Sequence, residues 1–160
     1  MALRSDWSQD TCPIARAVDV VGDPWVLLVL REAFEGATRF EQFRGIGIAD
    51  NVLSRRLAGM VEAGLLERSP YDDGKRRREG YVLTDAGRDL LPVLHALALW
   101  GEKHRPASTG RMELVHEACG RATSSADTCS SCQVPLTAGA VSWRLPRDPG
   151  ALLPLARPAG

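Results

Sequence analysis

Residues 38–84 place a short helix, a glycine turn, an arginine-bearing helix and a basic hairpin in unbroken order, a succession that few folds accept. In Arg39-Phe-Glu-Gln-Phe-Arg44, Phe40 and Phe43 lie three residues apart, so one side of a short helix is apolar, with Thr38 as its expected N-cap. Gly45 and Gly47 stop it. A second helix is expected from Asp50, where Leu53, Leu57, Met60 and Val61 recur at helical spacing and form a buried stripe; Gly64 suits the cap that ends it. Advancing about 100° per residue, Asn51, Ser54, Arg55, Ala58 and Glu62 fall opposite that stripe. The polar donors thus cluster in the first two turns, where a helix in the major groove of duplex DNA meets base edges.

Residues 65–71 and 81–84 are rich in strand-compatible side chains and are joined by residues 72–80, with Gly74 and Gly80 permitting the turn. Lys75, Arg76, Arg77 and Arg78 are expected at the tip of this hairpin, placed to meet phosphates or enter the minor groove. A basic run of this length standing alone is more often a solvated loop. Directly after a helix-turn-helix pattern it reads as a wing.

The 160 residues suffice for one ordinary domain and something smaller. Twenty basic and twenty acidic residues cancel, and residues 38–88 hold ten Lys and Arg against eight Asp and Glu. Phosphate affinity must then come from local placement rather than from an overall field, and should depend strongly on salt. No apolar run is long enough for a membrane span and the amino end lacks a signal-type apolar core, so a reducing cytoplasm is expected. The cysteines should be thiols or metal ligands.

Upstream, Pro13 opens and Gly22 closes a short helix, and Pro24 starts another through Phe34 that is apolar on nearly all sides and belongs in the core. Downstream, Thr84 caps a long helix running through Leu90, Leu91, Val93, Leu94, Leu97, Ala98 and Trp100, slightly bent at Pro92. It carries more aliphatic surface than a small winged helix can bury, which implies a homodimer. Two recognition helices about one DNA turn apart, roughly 34 Å, would read the half-sites of a palindrome.

Cys12-Pro13, Val21-Gly22-Asp23-Pro24-Trp25, Arg39-Phe40, Asn51-Val52-Leu53-Ser54-Arg55-Arg56-Leu57, Ala63-Gly64-Leu65-Leu66 and Tyr81-Val82-Leu83-Thr84-Asp85-Ala86-Gly87 together resemble the HxlR-type regulators, bacterial winged-helix proteins related to the MarR group. Leu91-Pro92-Val93-Leu94 and Trp100-Gly101 fit as well, so the likeness spans about residues 12–104. The resemblance implies a homodimer that binds operator DNA as repressor or activator, and in some such proteins a cysteine placed like Cys12 senses oxidants. Two departures stand out: Ala49 replaces a capping serine before the recognition helix, and the wing carries Gly80 and three arginines where relatives have a proline-containing turn.

The tail carries His116-Glu-Ala-Cys119-Gly120 and, after a nine-residue gap from Cys119, Cys129-Ser-Ser-Cys132. Two ligand pairs, each with two intervening residues, suit a tetrahedral structural Zn²⁺ held by His116, Cys119, Cys129 and Cys132. Gly120 favours a zinc knuckle, whereas the second pair is followed by Gln133. Disulfide formation or idle thiols are the alternatives. Metal would also explain how residues 111–145, with few large apolar side chains, fold at all. Catalytic zinc is disfavoured because four protein ligands leave no open position.

The expected fold is mainly α with some β (α+β): an arm over residues 1–11, a winged helix with a long dimerisation helix over 12–104, a small zinc-ribbon-like extension over 105–145 and a Pro-, Ala- and Gly-rich disordered tail over 146–160. The expected function is a DNA-binding regulator, a repressor in its first reading, not an enzyme. Cys129 and Cys132 lack the βαβ context of a redox enzyme, and His95 and His104 are expected to cap or face solvent. Asn51, Ser54 and Arg55 should meet base edges, Arg39 and Arg56 the backbone, and Lys75 to Arg78 the flanking groove, with Cys12 a redox-sensing candidate. A small-molecule pocket walled by Trp25 and Trp100 is conceivable, although tryptophans at helical spacing are more often core. The rival reading is a protein-interaction module built on the same winged helix and tail.

Overall fold

The computed structural model describes residues 6–156. Helices α1 (Pro13–Val21), α2 (Pro24–Phe34), α3 (Phe40–Phe43) and α4 (Asp50–Glu62) lead into an antiparallel hairpin, β1 (Leu66–Asp72) and β2 (Arg77–Leu83); α5 (Asp85–Arg88) and α6 (Leu91–His104) follow. The chain then builds a second antiparallel sheet in the order β4-β3-β5-β6 from β3 (Glu113–His116), β4 (Arg121–Thr123), β5 (Val141–Leu145) and β6 (Asp148–Pro154). The architecture is a winged helix followed by a sheet-rich extension, with more strand than a mainly α reading allows.

The core forms around α2. Asp23 caps it by accepting the Trp25 amide at 2.9 Å, Pro24 occupies its first turn without wasting a donor, and Val29, Leu30 and Phe34 are fully buried. Phe43 of α3 and Leu53 and Leu57 of α4 close over them, also at 0% exposure. Burial of each such side chain contributes about 1.5–3 kcal/mol, so this layer sets the angle between α3 and α4.

Several expectations change. Arg39, not Thr38, is the residue preceding α3, and Gln42 supplies the cap by accepting the Thr38 and Arg39 amides at 2.9 and 2.8 Å. The long helix after Thr84 is broken at Asp89 and Leu90 into α5 and α6. Pro92 has no N–H to give to the Arg88 carbonyl, and its ring crowds that carbonyl, so the chain restarts one turn later with Pro92 in the first turn. Thr84 does cap α5, accepting the Gly87 amide at 3.1 Å. The expected disordered tail instead forms β6, whose Leu153 pairs with Trp143; Leu155 is buried and the Ala156 amide donates to Phe34 O at 2.7 Å. The open β5 edge offers backbone partners, which outweighs the tail's composition. Of the amino-terminal arm, Trp7 donates its amide to Asp19 Oδ1 at 3.3 Å and Asp10 accepts from the Cys12 amide at 2.7 Å; residues 1–5 of the arm and 157–160 of the tail lie outside the described residues. Among the described residues no helix is long and apolar enough to cross a membrane.

The two units meet at His95, which the sequence suggested would cap or face solvent and which is fully buried. Its Nδ1–H donates to Ala126 O at 2.9 Å, and its Nε2 accepts from Trp143 Nε1 at 3.0 Å, so one neutral tautomer satisfies both. Trp143 also packs against Phe34, with ring centroids 6.5 Å apart. Burial pushes the His95 pKa below its ordinary 6.5. The unfolded ring therefore takes up a proton at higher pH than the buried one, and the stabilisation is complete above pH 6.5 and lost as pH falls from there toward the buried ring's own pKa. His95→Asn should cost about 1–3 kcal/mol at pH 7.5 by leaving the Trp143 N–H unmatched. Denaturant titrations should show that deficit shrinking by pH 5.5, and a deficit independent of pH would contradict the neutral-ring assignment.

Candidate DNA interface and metal centre

The polar face of α4 is built as its periodicity dictates. Leu53, Leu57 and Met60 point into the core, which leaves Asn51, Ser54, Arg55 and Ala58 exposed. The helix ends where Gly64, at φ 74°, lets the Leu65 amide return to Met60 O at 2.9 Å. Ala49 precedes it without a side-chain cap, and the Asp50 carboxylate turns outward to Arg44 Nε at 2.8 Å. Arg55 reaches back only to Asn51 O at 3.4 Å. Among the described residues no carboxylate pairs with it, so its guanidinium is available.

Arg56 is placed differently. It holds Asp23 Oδ2 at 2.6 Å, and Asp23 is also the cap of α2, so this ion pair ties the recognition helix to the core helix. Arg78 is similarly engaged, with Asp73 at 2.5 Å and Glu41 of α3 at 3.6 Å. Arg77 and Arg78 lie in β2 rather than at the hairpin tip, which holds Lys75 and Arg76. The Gly74, Lys75 and Arg76 amides all donate to the Asp72 or Asp73 carboxylates at 2.8–3.0 Å, so the tip is a fixed turn. Those Arg76 and Lys75 amides, and then the Arg78 guanidinium, hold the Asp73 carboxyl below the usual carboxylate range.

Gly80 is not part of the turn. It sits in β2 opposite Ser69, where a Cβ would lie 2.6 Å from Thr38 O, and the next amide, Tyr81 N–H, donates to that carbonyl at 2.7 Å. A side chain here would push the wing off the loop that enters α3. Arg39 rests over the Tyr71 ring, near the turn end of β1, 4.7 Å from its centroid. Asn51, Ser54 and Arg55 are exposed on α4, and exposed Arg39, Lys75, Arg76 and Arg77 have no carboxylate partner among the described residues. Of the two tryptophans that could wall a pocket, Trp100 is 55% exposed under the Arg105 guanidinium. An open groove of about 800 Å³ instead separates α6 from β3 and β4, lined by Leu99, Lys103, Met112 and Thr123 among others.

The second site lies at one end of the extension. His116 closes β3, Cys119 follows in the turn to β4, and Cys129 and Cys132 lie on the next turn; one donor atom from each falls within 4.8 Å of all the others. All the cysteines are free thiols, and Cys119 and Cys129 have sulfurs 3.8 Å apart, too far for a bond. The two turns match each other. Gly120 at φ 66° returns its amide to His116 O, and Gln133 at φ 61° returns its amide to Cys129 O, both at 2.8 Å. Gln133 is the one non-glycine residue at positive φ among those described, a conformation that costs on the order of 1–3 kcal/mol and so marks a constraint on this turn.

The Cys132 amide donates to Cys129 Sγ at 3.3 Å. That bond is the chief reason the Cys129 thiol is lowered to about 7, whereas its hydrogen bonding with Cys119, burial and the neighbouring sulfurs push Cys132 up to about 11. A first thiolate forms readily and a second is resisted, the situation a bound cation relieves. His116 Nδ1 is buried with no hydrogen-bond partner. The group can hold a metal ion.

A helix-turn-helix with a wing and a cation-bearing polar face on its second helix is the architecture of a transcription regulator. The chain belongs to the HxlR family: the model described as HxlR-like helix-turn-helix matches residues 20–109. It is 42% identical over 127 residues to an uncharacterized HTH-type transcriptional regulator of Mycobacterium tuberculosis, covering 78% of this chain and 80% of that protein. YdeP of Bacillus subtilis, an uncharacterized regulator of the same type, is 32% identical over 64% of this chain and 84% of its own. Among solved structures, PA1607, a candidate transcription factor, matches with a TM-score of 0.69 and 37% identity over 83% of this chain and 94% of its own, more than the winged helix alone can supply. The reduced form of the redox regulator HypR matches 59% of this chain and 94% of its own, with 29% identity and a TM-score of 0.54.

Proposed function

We propose that the protein is a homodimeric, sequence-specific repressor that acts in the cytoplasm on palindromic operators. The observation that carries this reading is the unpaired polar face of α4 set beside a wing with three unpaired cations. Asn51, Ser54 and Arg55 read base edges; Arg39, Lys75, Arg76 and Arg77 hold phosphates. Arg56 and Arg78 contribute chiefly by orienting α4 and the wing through their ion pairs. Support for the dimer comes from apolar side chains left open on α1 and α6, among them Ile14 at 72%, Leu97 at 48% and Trp100 at 55% exposure. Repression then follows from occupancy of promoter DNA. Arg55→Ala is expected to cost about 1–3 kcal/mol at one base position and relax specificity there, while Arg77→Ala weakens all sequences and flattens the salt slope by about one. Electrophoretic shifts on selected and random duplexes check both, and equal losses on the two for Arg55→Ala would contradict its role.

The His116, Cys119, Cys129 and Cys132 group is read as a structural Zn²⁺ site. A tetrahedron with Zn–S bonds of about 2.3 Å has sulfur–sulfur edges of about 3.8 Å, which is the Cys119 to Cys129 separation of 3.8 Å. The buried, unpartnered His116 Nδ1 supports the same reading. Zinc at close to one equivalent per chain is expected in protein purified without a histidine tag.

An input through Cys12 is favoured by its free, exposed thiol just ahead of α1 and by the likeness to a redox regulator. Diamide should weaken operator binding of the wild type and spare Cys12→Ser; identical responses would remove Cys12 as the sensor.

A further inference from the structure

Two side chains of α6 fasten the extension: Glu102 accepts the Met112 amide at 2.8 Å, and His95 is held by two partners that both belong to the scaffold of the Cys and His group. Ala126, which accepts from His95 Nδ1 at 2.9 Å, lies on the segment between Cys119 and Cys129. Trp143, which donates to His95 Nε2 at 3.0 Å, lies on β5 opposite Leu114 of β3, and β3 ends at His116. Whatever holds the two ligand turns together also holds both partners of His95. On α6 itself Leu91 and His95 are the buried positions, while Val93, Leu97 and Trp100 are exposed. The helix is thus gripped by the extension on one face and open on the other.

We propose that occupancy of the His116, Cys119, Cys129 and Cys132 site sets the DNA affinity of this regulator, with His95 as the joint that transmits it. The inference rests on the metal reading above. With the ion bound, the turns carrying Cys119 and Cys129 are cross-linked, Ala126 and Trp143 are fixed, and α6 has one position. Without it, four crowded donors and a strained Gln133 have nothing to compensate them, so the turns separate. His95 then loses a donor and an acceptor together, and Phe34 of α2 loses its ring contact with Trp143. A buried imidazole left unmatched drives α6 to repack. Because α2 is tied to α4 through Asp23 and Arg56, the change reaches the recognition helix through contiguous packed elements that both sites bias.

The test uses full-length protein with Zn²⁺ as the only added metal. Zinc content is measured first. Operator binding is then compared before and after chelation, at constant ionic strength, on a duplex selected from a random library with the metal-loaded protein. Chelation is expected to weaken binding at least fivefold, within the ordinary range of coupling between sites, and stoichiometric Zn²⁺ should restore it. Amide exchange over residues 91–104 should accelerate in the same samples. Trp143→Phe keeps an aromatic ring and removes the N–H, so it is expected to retain one zinc while its loaded and chelated forms bind DNA within twofold of each other. If Trp143→Phe loses its metal, His95→Gln carries the same comparison from the α6 side. Absence of zinc in the wild type removes the underlying metal reading. Full zinc with chelation-insensitive DNA binding and unchanged exchange overturns the coupling alone, and an undiminished response in both variants overturns His95 as the joint.

Discussion

Exchanging Leu97 and Trp100 together for glutamate is expected to make the protein monomeric and to lower its affinity for a palindromic duplex by about 10²–10⁴-fold. The two side chains lie about one turn apart on α6 and are 48% and 55% exposed. In a twofold dimer each substitution acts twice, because the same patch serves both copies. Each lost apolar side chain forfeits about 1.5–3 kcal/mol, and each new carboxylate must be desolvated or keep the surfaces apart. A single winged helix would then read one half-site, and the gain from linking two readers disappears. Light scattering and an electrophoretic shift on the same samples give the answer. A doubly charged variant that remains dimeric would move the interface away from α6, with the exposed face of α1 at Ile14 and Val18 as the next region to examine.

The second large effect concerns Cys129, the fully buried thiol of the metal group. Structural zinc contributes on the order of 10–16 kcal/mol to the folding of small zinc peptides, more than the whole stability of most domains. Cys129→Ser should therefore lose its zinc and, with it, amide protection across residues 113–145, with proteolysis opening between residues 105 and 112. The winged helix should survive, since Leu30, Phe43, Leu53 and Leu57 are buried among α2, α3 and α4. Metal analysis, hydrogen exchange and limited proteolysis on one preparation decide this. Retention of full protection by a zinc-free Cys129→Ser variant would mean that the extension folds on its own apolar contacts, centred on Leu114, Val141 and Trp143.

Much of the reading half was legible in the chain. The stripe of Leu53, Leu57 and Met60 is buried as its spacing requires, and α4 begins at Asp50 as expected, because helical periodicity depends only on neighbours within two turns. The same holds for Thr84 as a cap and for Gly74 and Gly64 at positive φ. The ligand spacing of His116, Cys119, Cys129 and Cys132 also pointed to one cluster, since two tight turns can each present two donors to a single point.

What escaped were partnerships between distant residues. Arg56 and Arg78 looked like free phosphate ligands, but Asp23, Asp73 and Glu41 claim them. Gly80 looked like a turn residue, and only the approach of Thr38 O shows why a strand needs it. The break before α6 could have been inferred from the missing Pro92 donor and the Arg88 carbonyl four residues earlier. The strand at the tail could not, because nothing within residues 148–154 announces the open edge of β5.

By itself the sequence determined the helix-turn-helix, the wing and the clustering of His116, Cys119, Cys129 and Cys132, all of which follow from periodicity, capping and spacing over a few residues. The tertiary structure alone decided which cations are held in ion pairs and how the extension is joined to the winged helix. The buried side-chain bond in that joint runs between His95 and Trp143, 48 residues apart. No local signal encodes such a pair, because its donor and acceptor become neighbours only once α6 and the second sheet have closed on a shared core.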